Sequence, residues 1–437
     1  MSRTLTSFEW LLRAGEHVIQ CPQMFLDGWH DHQPPIFEGS GRLSLRSSTD
    51  IHFELDAKAR EQSEGMRALR RCAEDADDHT SAMRLRAIDY SGTEWNAGWV
   101  RPSLGNVQGE HFQLFGESGA LSTFVRQSER MSGVELAFSP SPEVPFSENM
   151  RTTAHLGDAQ LGWRTSGGIH RMEVLGSLIE ATTQPWSSEL WLFANTSEDL
   201  RHPYLENWLS EPLRALRGQL IYPRLVARNF EDGRAAVWVR PVPSLRQSLD
   251  GCASQLRNRS PREFWSFYEH YLTYVAQHRN ANGHPEFEAN GLTRLHDEVI
   301  QARMAGSPWV IALCVASAVE GLVKLDPGFA SMQADFTSEE LTPAIEAISN
   351  LEPGVLRDRL KSSVSLFGRA SVAKYLTQME RGGIISKSQL GAWRKVRNQV
   401  AHGNLFEPWG TREEHERLVA LIELFYRLTS NRIGYVS

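Results

Sequence analysis

Two periodicities divide the chain. From about residue 36 to 240, apolar residues alternate with polar ones in short runs, as they do where a strand buries one face. Arg42-Leu43-Ser44-Leu45, Ile51-His52-Phe53-Glu54-Leu55, His111-Phe112-Gln113-Leu114-Phe115 and Val134-Glu135-Leu136-Ala137-Phe138 are such runs. Glu189-Leu190-Trp191-Leu192-Phe193 and Ala236-Val237-Trp238-Val239 continue the series, and Gly39-Ser40-Gly41 and Ser139-Pro140-Ser141-Pro142 punctuate it. The charged stretch 57–80 interrupts the alternation and is expected to be a helix or a mobile excursion. One helix is expected around Pro203 to Arg217. Trp163, Trp186, Trp191, Trp208 and Trp238 are expected to pack in the core of this half. The pattern leaves sandwich, barrel and open sheet as alternatives.

From about Pro261 the period becomes helical. Pro261 opens a segment in which Phe264, Trp265, Phe267, Tyr268, Tyr271, Leu272 and Val275 recur at three- to four-residue spacing. Further helices are expected near 288–305, 308–325, 339–351, 369–381, 387–402 and 411–430. In the last, Thr411 and Glu414 have the spacing of a capping box, and Leu418, Leu421, Ile422, Phe425 and Leu428 form one face. The expected fold class is therefore α+β and multidomain. A β-rich N-terminal domain would cover residues 1–250 and an all-α domain 261–437, divided within the polar stretch Arg246 to Ser260.

Composition narrows the classes. With 437 residues the chain exceeds what one core usually organises, and 41% hydrophobic with 23% charged residues is ordinary globular usage. The longest uncharged apolar run, Trp309 to Val319, is too short for a membrane span of about 20 residues. No signal-peptide pattern opens the sequence, and the four cysteines (Cys21, Cys72, Cys252, Cys314) form no Cys-x-x-Cys, so a reducing cytoplasm is the expected location. A net charge of −7 excludes a uniformly basic nucleic-acid coat but not a local basic site. No Walker loop, GxGxxG or GxSxG element occurs.

Four Arg-x(4–6)-His spacings occur: Arg46/His52, Arg164/His170, Arg279/His284 and Arg397/His402. About four are expected by chance, so only context can distinguish them. The first two lie in strand-and-turn sequence. The third falls in a loop marked by Asn282-Gly283 and Pro285. Only Arg397/His402 lies on a segment of helical period, with Leu390, Trp393, Val396 and Val400 on one face and Gly403 as a stop.

At 100° per residue Arg397 lies about 40° from Trp393, inside the apolar arc, and His402 about 140° further round, on the stripe of Arg394 and Asn398. A guanidinium aimed at a core face needs an acidic partner, a subunit boundary or a bound anion. Glu320, which ends the apolar run, is the expected acidic partner. Between Glu380 and Glu407 no acidic residue occurs, while Arg381, Lys387, Arg394, Lys395 and Arg397 form a basic strip suited to a phosphate backbone. At a helix C-terminus the dipole favours a cationic His402, and the nearby Arg opposes it.

The element Arg397-Asn398-Gln399-Val400-Ala401-His402-Gly403, late in a helical region and before a long terminal helix, resembles the signature of HEPN domains. The apolar helix Val310 to Leu322 is similar to that family's other recognisable helix. A β-rich half joined to such a bundle resembles the Apea-type HEPN proteins of bacterial anti-phage defence. The resemblance covers about residues 262–432 and is architectural elsewhere. It implies a metal-independent, cofactor-free ribonuclease of an abortive-infection system, with an active site assembled across a dimer or a higher even oligomer. It also implies Arg397 and His402 as catalytic, with Asn398 as the polar residue that follows the Arg. Glu320 would orient Arg397, and Arg394, Lys395 and Lys387 would contact RNA, either tRNA or phage or host mRNA. The N-terminal domain would sense a phage-derived trigger.

The chemistry that the resemblance implies can be argued in its own right. RNA carries its own nucleophile, the 2′-hydroxyl, so a protein must move two protons and place a cation on the phosphate. An imidazole with an unperturbed pKa of about 6.5 suits the first task and a guanidinium fork the second. One His cannot easily serve both proton transfers, and a twofold dimer supplies a second. Two other readings stand beside this one. The bundle could dimerise or bind nucleotide without cleaving, or His30, Asp31 and His32, with His52 or His17, could hold zinc for a metal-dependent hydrolase.

Overall fold

The chain forms two units in the computed structural model. One comprises Met1–Ser210, Ile221–Arg246 and Arg279–Phe287, and the other Glu211–Leu220, Gln247–His278 and Glu288–Ser437. The structure describes residues 3–435 except 14, 30–33, 48, 75–77, 128–129, 157–158, 184–188, 244–248, 250, 253–259, 280–281, 283–284, 286–289, 305, 333–335, 337, 368–370 and 402–409; for 150–156, 159–166, 365–367, 400 and 401 it describes the backbone alone. No helix among the described residues is long and apolar enough to cross a membrane.

The first unit is built on alternation. Its strands are β1 (His17–Asp27), β2 (Phe37–Leu45), β3 (Ile51–Ala59), β4 (Met83–Ile88), β5 (Glu94–Val100), β6 (Ser103–Gln108), β7 (His111–Glu117) and β8 (Leu121–Arg126). They continue as β9 (Gly133–Phe138), β10 (Glu148–Leu156), β11 (Ala159–Val174), β12 (Ser177–Thr183), β13 (Leu190–Asn195), β14 (Leu225–Asn229) and β15 (Arg234–Val239). All belong to one sheet, ordered β10-β11-β12-β13-β9-β14-β15-β8-β5-β4-β1-β2-β3-β7-β6. The order is linear with β10 and β6 at its edges, and no pairing among the described residues closes it into a barrel. Two groups of strands meet at a narrow seam, where β5 and β8 pair through Asn96 and Ser122 and the Ser122 hydroxyl donates to the Asn96 carbonyl at 3.2 Å.

In β3, Ile51, Phe53, Leu55 and Ala57 are buried while the residues between them are not, as the alternation requires. Helix α1 (Gln62–Glu74) fills the interruption at 57–80 and packs Ala68, Leu69 and Cys72 into the same core. Strand β9 departs from the pattern: all its residues are buried. The first helical turns, Thr4–Leu12, bring backbone N–H groups to Glu135, whose carboxylate accepts from Thr4 N and Leu5 N at 2.9 Å and from the Asn229 amide at 3.0 Å. A glutamate that reads as a solvent position is thus buried and satisfied by a helix N-terminus.

The helix expected over Pro203 to Arg217 is two pieces, α2 (Leu205–Trp208) and α3 (Glu211–Arg217). Pro212 lacks an N–H and cannot continue a helix from Trp208, but it fits the first turn of a new one. The break matters because α3 belongs to the helical unit and α2 to the other.

The second unit continues with α4 (Pro261–Gln277), α5 (Gly291–Met304), α6 (Pro308–Lys324), α7 (Pro327–Ala330), α8 (Ser338–Ser349), α9 (Val355–Phe367), α10 (Val372–Arg381), α11 (Lys387–Ala401) and α12 (Arg412–Arg432). The apolar stripe of α4 is buried as its spacing requires, and Ser260 caps it by accepting from Glu263 N. The Thr411–Glu414 capping box of α12 is present with both of its hydrogen bonds. Helix α9 has no counterpart in the sequence reading. None of its described side chains is buried, and Val355 and Leu356 are more than two-thirds exposed, so no one-sided stripe announces it.

Candidate active site

Helix α11 starts at a capping box the sequence reading missed. Ser386 Oγ accepts from Gln389 N at 3.2 Å, and Gln389 Oε1 accepts from Ser386 N at 2.9 Å. The helix then buries Leu390, Trp393 and Val396 against α6, α10 and α12. This packing fixes the positions of the polar residues between them.

Arg397 leaves the packed face at its rim. The helical arc places it towards the core, but its side chain is 53% exposed. Its four-bond stem follows the apolar surface while the charged head reaches water. The guanidinium carbon stands 5.8 Å from the Trp393 ring centroid, and Nε donates to Glu320 Oε1 at 2.8 Å. Glu320 sits on α6 between the buried Val319 and Gly321, and a Cβ at Gly321 would come within 2.9 Å of Leu295 on α5. Close packing of α5 on α6 thus helps fix the position of the carboxylate. Both terminal nitrogens of Arg397 have no partner among the described residues.

The basic strip is less uniform in space than in sequence. Arg394 donates to the Thr377 hydroxyl at 2.8 Å, and Lys395 pairs with Glu413 at 3.2 Å. Glu413, in the first turn of α12, also pairs with Arg417, and the two cations hold its carboxyl below the usual range, Arg417 contributing most. Lys387 and Asn398 are exposed, and among the described residues their side chains have no partner. Acidic residues far along the chain therefore supply countercharge that the 381–406 stretch lacks. His402 directly follows the last residue of α11 and lies outside the described residues, as does Gly403. The structure brings Arg397, Glu320 and Trp393 together and gives no distance from Arg397 to His402.

His30, Asp31 and His32 also lie outside the described residues. Of their suggested companions, His17 shares a hydrogen bond with the Arg13 carbonyl at 2.7 Å, and His52 stands on the polar face of β3. No group of three or more metal-ligating side chains occurs among the described residues.

Sequence reasoning missed a buried polar node in the same unit. Glu211 on α3 accepts from the Thr293 hydroxyl at 2.5 Å, which also meets the Tyr271 hydroxyl at 3.0 Å. Arg214, one turn on, pairs with Asp297 on α5 at 2.5 Å. Burial raises the Asp297 carboxyl to about 6 against the opposing pull of Arg214. His296 packs among Tyr271, Phe425 and Tyr426, and burial, aided by Arg214, lowers its imidazole to about 3. The Thr429 hydroxyl donates to the Phe425 carbonyl, so His296 Nε2 carries the proton that Thr429 accepts at 3.0 Å. A neutral, enclosed imidazole of this kind is a packing element. The one sequence signal was the pair Glu211 and Arg214, three residues apart and flanking the proline of a helix start, and nothing in it pointed to α5.

Compared with known proteins, the chain matches no family model, no curated protein and no solved structure.

Proposed function

We propose that the helical unit is an endoribonuclease of the HEPN kind, acting on RNA as a twofold dimer without a metal. Arg397 carries this reading. Glu320 takes its Nε and orients the side chain, which leaves the two terminal nitrogens at the solvent edge of α11. Two parallel hydrogen bonds from that end suit a pair of phosphoryl oxygens and favour the charge that develops on them.

The RNA 2′-oxygen attacks phosphorus, and the bond to the 5′-oxygen breaks. His402 accepts the 2′-hydroxyl proton, and His402 of the second copy protonates the leaving oxygen, giving 2′,3′-cyclic phosphate and 5′-hydroxyl ends. Asn398 adds a neutral hydrogen-bonding group beside the site, while Lys387, Arg394 and Lys395 hold the RNA backbone. In a bacterial defence setting the sheet unit would receive the phage-derived trigger, and the RNA would be tRNA or mRNA of the host or phage in the cytoplasm.

The test is cleavage of RNA by the purified full chain, with end-group analysis of the products. The reading expects activity in excess chelator, and a loss of at least a hundredfold in both Arg397→Ala and His402→Ala with thermal unfolding unchanged. Intact cleavage in both variants, or full loss in chelator, would refute it. Dimerisation and nucleotide binding without cleavage in the wild type would favour the interaction-module reading.

A further inference from the structure

The sheet unit holds a cavity of about 1220 Å³ on the polar side of β3 and β7. Asp56, Glu54 and His52 stand directly opposite Gln113, Phe115 and Glu117 on this face, with Phe53, Leu55 and Leu114 buried on the other. Three aromatic rings line the cavity in contact with water: Trp29 is 43% exposed, Trp99 48% and Phe115 46%. Trp29 and Trp99 lie against each other, with ring centroids 4.7 Å apart and planes tilted by 32°. Large rings left exposed together in a concave site mark a binding surface more often than a packing defect.

The charges indicate what binds. The two arginines of the lining are already engaged. Arg46 lies 3.6 Å from Glu16 and 3.5 Å from Glu54, and Glu54 is also held by Arg42 at 2.8 Å. Arg101 donates to the Cys72 and Asp78 carbonyls and to the Ser81 hydroxyl. Two carboxylates of the lining, Asp56 and Glu117, have no side-chain partner among the described residues. In the β3–β7 register, Asp56 faces Gln113 and His52 faces Glu117. The two carboxylates are therefore four residues apart along the sheet, roughly 13 Å at the rise of a strand. Phe115 stands midway between them.

We propose that this cavity binds a linear organic dication of the polyamine class. One ammonium meets Asp56 and the other Glu117; the methylene chain lies over Phe115, and the Trp29–Trp99 pair forms an aromatic wall. Each exposed ion pair is weak alone. Two at a fixed spacing, with cation–π attraction from the rings, select a ligand of matching length and charge. An anionic ligand would find both arginines occupied and two carboxylates opposing it. The proposal does not depend on the ribonuclease reading.

The test is calorimetric titration of the full chain at low salt with 1,8-diaminooctane, using 1,8-octanediol as the uncharged match. Binding of the diamine alone is expected. Because a chain of net charge −7 attracts cations generally, the Asp56→Asn/Glu117→Gln double variant and Trp99→Ala are decisive. Each should weaken the diamine at least tenfold while leaving the thermal midpoint in place. No diamine binding at millimolar concentration, equal binding of the diol, or unchanged affinity in the double variant would overturn the proposal.

Discussion

Arg214–Asp297 and Arg397–Glu320 join the same two chemical groups within one helical unit, yet solvent makes them different objects. The first pair is 5% and 14% exposed and lies in a node of hydrogen-bonded side chains. The second is 53% and 27% exposed, at the rim of α11. Burial turns a charge pair into a structural commitment, since removing one member strands the other away from water. Exposure leaves the pair contributing little to stability and leaves the guanidinium available to a ligand. The burial of an arginine, more than its having a carboxylate partner, separates scaffold from site.

The sharpest test of this contrast is Asp297→Ala. It should lower unfolding stability by about 3–5 kcal/mol because the buried Arg214 guanidinium loses the carboxylate 2.5 Å from it, read from denaturant midpoints of the full chain. Arg397→Ala should do the reverse. Its stability change should stay under about 1 kcal/mol, while RNA cleavage falls by about 2.7–4 kcal/mol of transition-state stabilisation, as when an oxyanion donor is removed. A destabilising Arg397→Ala or a neutral Asp297→Ala would collapse the distinction.

The node should also show itself in pH. His296 titrates near 3 when folded and about 6.5 when unfolded, so the unfolded chain binds a proton that the folded one refuses. Its contribution to stability is present above about 6.5 and is lost as pH falls towards 3. Asp297, raised to about 6, acts oppositely between about 6 and 4 and hides part of the loss. Relative to wild type, His296→Gln should therefore gain stability progressively from pH 6.5 to 3; a pH-independent difference between their unfolding midpoints would refute this. The smallest effect is expected from Glu320→Gln, which keeps an oxygen acceptor for Arg397 Nε. Activity should fall about tenfold, roughly 1.4 kcal/mol, with a larger drop in Glu320→Ala. Equal losses in the two variants would mean that the carboxylate charge, and not the orienting hydrogen bond, is what matters.

Much of the local structure was legible in the sequence. The alternating runs are strands, Ser260–Pro261 and Thr411–Glu414 start helices, and α4 buries its whole stripe. These features are legible because capping and periodicity act within a few residues. The ion pair of Arg397 with Glu320 was also foreseeable, since the carboxylate that interrupts an apolar run marks where that helix meets water. The charge environment of α11 was not. Glu413 neutralises Lys395 from the next helix, and a stretch without acids says nothing about acids brought by the fold. The same holds for Glu135, which alternation assigns to solvent and a helix N-terminus draws inside.

The sequence alone determined where alternating runs form strands and where one-sided apolar stripes form helices, because backbone hydrogen bonding and the burial of one face are decided by near neighbours. Only the tertiary structure decided that Glu211–Leu220 belongs with the helices, that Arg214 is buried while Arg397 reaches water, and that Trp29, Trp99 and Phe115 line one cavity. Those outcomes depend on contacts between residues tens of positions apart, where solvent exclusion and charge pairing act on distance in space and leave no periodic trace along the chain.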